Sequence, residues 1–76
     1  MVKLLLLEPR EVIKVLKKNG FEFRSQKGSH RKFIKIANGK NYRVIVPMHD
    51  KEIKRGTLLD IITRSGKTKE EFMSEL

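Results

Sequence analysis

Cysteine is absent from this chain. That removes disulfides, thiolate metal sites and thiol nucleophiles together, and it suits a reducing compartment. Long apolar runs are also missing. Leu4–Leu7 is apolar but only four residues long. A membrane-spanning helix needs about 20 apolar residues and a signal h-region about 7–15. A cytoplasmic protein without membrane association is therefore expected. Metal-type clusters are missing too. His30 and His49 are the two histidines, and no carboxylate lies within seven residues of His30 in sequence. No phosphate-cradling G-x-x-x-x-G-K-[ST] run occurs. Neither a metal nor a cofactor is expected.

Acidic residues are missing from the middle of the chain. Between Phe23 and His49 there are seven cations, namely Arg24, Lys27, Arg31, Lys32, Lys35, Lys40 and Arg43, and no Asp or Glu. All nine acids lie outside that stretch, and the whole chain carries 18 Lys and Arg for a net charge of +9. A basic centre between mixed-charge ends reads as a face for a polyanion, because each phosphate contact releases counterions. The alternative is an ordinary solvated strand surface.

At 76 residues the chain is expected to form one domain, residues 1–76. Such a short chain buries only roughly 60–65% of its unfolded surface. Chemistry then belongs on the surface or at an interface, not in a deep cavity. No repeat, linker or low-complexity tract divides the chain.

The pattern of elements is α-β-β-β-α with a short extra C-terminal helix. Pro9 suits a first helical turn. Val12, Ile13 and Leu16 then share a face, and Gly20 ends the helix at about Asn19. Phe21–Gln26 alternates as a strand, with Phe21 and Phe23 expected in the core. Lys27-Gly28-Ser29 is a turn, and His30–Ile36 is a second strand. Asn38-Gly39 is a strong hairpin signal, and Tyr42–Val46 is a third strand ended by Pro47. Residues 48–56 read as a loop. Thr57 is expected to cap a second helix, with Asp60 three residues on in a capping-box position. Thr68-Lys-Glu-Glu71 is a second capping box and starts the last helix. Three antiparallel strands need cover on one face, which the amphipathic helices supply, giving an α+β fold ordered like a double-stranded-RNA-binding domain. Order of elements alone does not establish function.

One chemistry needs little from a small basic protein. In RNA transesterification the nucleophile is the RNA's own 2′-hydroxyl. The protein supplies a base, an acid and positive charge for the phosphorane. Histidine suits proton transfer because its ordinary pKa of about 6.5 lies near neutrality. His30 stands in Lys27-Gly28-Ser29-His30-Arg31-Lys32, an imidazole among three cations. His30 is therefore the candidate catalytic group, although a plain RNA contact or a strand-end packing role fits the local residues as well. Lys27, Ser29, Arg31, Lys32, Lys35 and Arg43 are candidate RNA-binding residues. His49 is a candidate second acid/base or a loop-positioning residue. Tyr42 and Phe33 could stack on bases, but both are more simply core.

The ordered set Leu16-Lys-Lys-Asn-Gly20-Phe21, Gly28-Ser29-His30-Arg31, Val46-Pro47-Met-His49, Lys54-Arg-Gly56-Thr57-Leu58 with Ile61-Ile62, and Ser65-Gly66 before Glu71-Phe72 resembles the HicA toxins (YcfA-like proteins) of toxin–antitoxin pairs. The resemblance runs over about residues 8–73. It implies a double-stranded-RNA-binding-like fold and a ribosome-independent mRNA interferase, whose transesterification chemistry is expected to run without a metal. By the same resemblance, the histidine of Gly-Ser-His, His30 here, is the catalytic residue, and a HicB-type antitoxin masks the site. The alternative is a non-catalytic RNA-binding module of similar fold.

Overall fold

A computed structural model describes residues 6–48 and 51–76. Its elements are α1 (Pro9–Lys18), β1 (Glu22–Lys27), β2 (His30–Ala37), β3 (Lys40–Pro47), α2 (Arg55–Arg64) and α3 (Lys69–Ser74). The strands form one antiparallel sheet in the order β1-β2-β3. This is the expected α+β arrangement.

Each turn follows from its residues. Lys27 pairs with His30, so Gly28 and Ser29 alone close the first hairpin. Gly28 has φ +59°, with no positive φ at Ser29, the pattern of a II′ turn with glycine at its first central position. Asn38 and Gly39 both have positive φ, +52° and +74°, which makes the second hairpin a I′ turn and fits its right-handed twist. The Ala37–Lys40 pair closes it.

The core lies between one sheet face and the helices. Val12, Val15 and Leu16 from α1 meet Phe33, Val44 and Val46 from the sheet, with Leu58, Ile61 and Ile62 from α2 and Phe72 from α3. Each fully buried aliphatic or aromatic side chain contributes about 1.5–3 kcal/mol relative to exposure. Leu7 is buried at the entry to α1, where its carbonyl accepts from the Ile53 amide at 2.8 Å. The end of α3 is tied to α1: the Asn19 amide nitrogen donates to a Glu75 carboxylate oxygen at 2.8 Å.

Two local expectations are corrected. The second helix begins three residues early, with Lys54 as its N-cap residue and no side-chain cap bond. Gly56 and Thr57 lie inside its first turn, and Asp60 pairs with Arg64 one turn on, at 2.9 Å, instead of closing a capping box. A Thr-x-x-Asp pattern competes poorly when Ile53 is buried just upstream and fixes where the chain turns into the helix. The expectation that Phe23 is core also fails. Phe23 is exposed, although Phe21 is buried. The helices pack mainly against β3, so β1 reaches past most of their cover and all six of its residues are exposed. The capping box at Thr68 is as expected. The Glu71 amide donates to the Thr68 hydroxyl at 3.1 Å, and the Thr68 amide donates to the Glu71 carboxylate at 2.8 Å.

Candidate active site

Side chains along β2 alternate between the helix side and the uncovered side. Register places His30, Lys32, Ile34 and Ile36 on the uncovered face, beside Pro47, Ile45, Arg43 and Asn41 of β3. Arg31, Phe33 and Lys35 point to the helix side, beside Val46, Val44 and Tyr42.

On β1 the alternation changes phase. Phe23 pairs with Phe33 and Ser25 pairs with Lys32, leaving Arg24 as an extra residue in a bulge. Without it, residues 21, 23, 25 and 27 would share the helix side. One added residue flips everything beyond it to the other face. Ser25 and Lys27 therefore join His30 on the uncovered face. His30, Lys27, Ser25, Lys32 and Ile45 line an open depression of about 370 Å³.

His30 occupies the first position of β2 and is exposed. Its cross-strand neighbours are Lys27 and Pro47. Directly opposed side chains on one face lie about 4.5–5.5 Å apart at Cβ. The imidazole is thus within reach of a cation on β1 and, one step along its own face, of Lys32. The turn that presents it is braced from two sides. Gln26 donates through its amide nitrogen to the Gly28 carbonyl at 2.9 Å, and the Met48 amide donates to the Ser29 carbonyl at 2.6 Å. Ser29 is half-buried in that turn.

The expected RNA-binding residues separate into two sets. Lys27, Lys32 and Arg43 share the uncovered face with His30, while Arg31 and Lys35 do not. The Arg31 guanidinium donates through Nε to the Gln26 side-chain oxygen at 3.2 Å. The Lys35 ammonium stands 5.8 Å from the ring centres of both Phe21 and Tyr42, a geometry in which each ring face attracts the cation. Phe33 is core and Tyr42 packs against it. His49 lies outside the described residues. Sequence reasoning missed Ser25 and Ile45 in the depression. Ile45 was recoverable from alternation on β3, whereas Ser25 depends on a bulge that leaves no mark in the pattern.

Among the described residues no group of three or more His, Cys, Asp or Glu side chains is placed to hold a metal ion. No helix among them is long and apolar enough to cross a membrane.

A family model described as the HicA toxin of bacterial toxin–antitoxin systems matches residues 9–67, from the start of α1 to just past α2. The chain belongs to the HicA toxin family. No curated protein sequence matches it. Membership supports the role of toxin and implies a cognate antitoxin as partner. The matched span takes in the whole sheet, and with it the hairpin that carries His30.

Proposed function

We propose that this HicA-family chain is an mRNA interferase that cleaves RNA without a metal ion, using His30 as the catalytic residue. The observation that carries the reading is the exposed imidazole at the start of β2, on the face the helices leave bare, between Lys27 and Lys32. An RNA strand can approach that face without any rearrangement of the core.

His30 takes the proton from the ribose 2′-hydroxyl. The freed oxygen bonds to phosphorus, the bond to the 5′-oxygen breaks, and that oxygen leaves with a proton from a second donor. The products are a 2′,3′-cyclic phosphate and a 5′-hydroxyl. Lys27 and Lys32 offset the charge that builds on the phosphorane, and Arg43 extends the cationic track along the same face. The second donor is water, a lysine such as Lys27, or His49. A HicB-type antitoxin restrains the enzyme by covering His30.

The test uses the purified toxin with single-stranded RNA in EDTA. Cleavage leaving cyclic phosphate ends is expected, and His30→Ala should abolish it while RNA binding persists. Complete dependence on added metal, or undiminished cleavage by the variant, would overturn the assignment. Binding without any cleavage by the unaltered chain would leave an RNA-binding module instead.

A further inference from the structure

The uncovered sheet face is not uniform. Around His30 it is polar and cationic. Towards the β2–β3 hairpin it becomes apolar: Ile36 is 72% exposed, and Ile34 lies two positions before it on the same face. Arg24, Arg43 and Arg64 surround them, and together with Asn41 these side chains help line a concavity of about 520 Å³. Ile36 lies six residues from His30 along one strand, a separation of roughly 20 Å at the rise of an extended chain.

We propose that this distal half is the anchoring site for the antitoxin, taking an apolar segment of that protein flanked by carboxylates. The inference takes its partner from the inhibited-toxin reading above. Three observations favour a protein over the RNA substrate. First, by register Phe23, Phe33 and Tyr42 belong to the helix side, while Phe21 and Phe72 are core. Tyr42 is the one ring among the residues that line the concavity, and it is partly buried against the core with the Lys35 ammonium over it, so the distal half exposes isoleucines where unpaired bases need open rings to stack on. Second, a large exposed aliphatic beside arginines is the composition of protein interfaces, in which arginine is enriched and other charges are depleted. Third, the arginines complement an acidic partner. Arg64 is already paired with Asp60 at 2.9 Å, but an exposed pair of this kind contributes little and leaves guanidinium donors for a second carboxylate.

The arrangement also answers a competition problem. Antitoxin and RNA both gain from the cations near His30, so charge there does not discriminate between them. Burial of Ile34 and Ile36 rewards an apolar protein segment and offers a phosphate backbone nothing. An inhibitor gripping the distal half keeps its hold while another part of it lies over His30.

The experiment measures two quantities on Ile36→Glu toxin: its affinity for the purified antitoxin encoded with it, and its RNA cleavage when alone. An exposed strand residue is replaced, so the melting temperature should stay close to that of the parent. Affinity for the antitoxin should fall about tenfold or more, equivalent to at least 1.4 kcal/mol, with cleavage within about twofold of the parent. Arg64→Glu should weaken the complex in the same direction. Reduced cleavage with unchanged antitoxin affinity would assign the distal half to RNA and overturn the proposal. No change in either quantity would overturn it as well. A parent chain that fails to cut RNA, yet whose antitoxin complex is weakened by Ile36→Glu, would sink the nuclease reading and leave this one standing.

Discussion

The two faces of β2 are built from alternate residues of a single run, yet they do different work. On the helix side the polar side chains are engaged within the molecule: Arg31 with Gln26, Lys35 against the rings of Phe21 and Tyr42, and Phe33 sealed between them in the core. On the uncovered side, His30 is exposed at the first position of the strand, and Lys32 and Ile36 stand beside Ile45 and Asn41 of β3 on the face that the helices leave bare. A residue's partners here are set by the parity of its position more than by its type. Two lysines three residues apart, Lys32 and Lys35, are chemically identical and structurally unlike.

The largest test of that contrast is in stability. Phe33→Ala should cost about 3–5 kcal/mol, as expected for a large ring removed from a packed core. That is comparable to the whole stability of a small domain, about 5 kcal/mol at the lower end. Ile34→Ala, the next residue but on the uncovered face, should cost well under half as much. Urea denaturation of the two variants checks this. Equal losses would mean that the uncovered face is covered by something in solution, or that the parity is misassigned.

The next test is in binding. Lys32→Glu should weaken RNA binding several-fold and lower the slope of log affinity against log salt by about one, as loss of one phosphate contact predicts. Lys35→Glu should leave that slope nearly unchanged and instead lower the melting temperature, since its ammonium lies over two rings at the core's edge. Matching salt slopes for the two variants would break the distinction and place RNA across a sheet edge.

How much of this was legible in the sequence follows the same division. Periodicity on α1, the Asn38-Gly39 turn, the β3 alternation and the Thr68 box all carry local chemical signals, and all appear in the fold. The start of α2 was misread because its N-cap is Lys54, which bears no side-chain cap bond; buried Ile53 sets that boundary through packing, which local chemistry does not announce. The basic stretch was visible as charge but not as a face. Separating Lys27, Lys32 and Arg43 from Arg31 and Lys35 needs strand register, and on β1 register depends on the bulge at Arg24. Arg64 was out of reach for the same reason, since it comes to the sheet from α2. His30 is conspicuous in the sequence because histidine is rare here and this one follows a glycine-containing turn, but its exposure is a property of the folded sheet.

The smallest effect expected tests whether the helix layer can be perturbed without touching the open face. The Glu71 carboxylate is held below the usual carboxylate range, first by the hydrogen bond from the Thr68 amide and then by the Thr68 side chain. A group whose pKa is lowered on folding stabilises the fold above its unfolded pKa, and the benefit disappears as pH falls through the folded value. Glu71→Gln should therefore melt slightly below the parent at neutral pH. The gap should close progressively through the acid range below the usual carboxylate pKa, where the parent also becomes neutral. The group is exposed on a six-residue helix, so solvent screening keeps the effect small. RNA cleavage at neutral pH should be the same for both proteins, because α3 lies on the helix side, away from His30. A melting gap that persists unchanged into strong acid would show that the Thr68 cap acts through shape and not charge. A loss of cleavage would mean that the two faces communicate through the sheet, against the independence that parity along β2 implies.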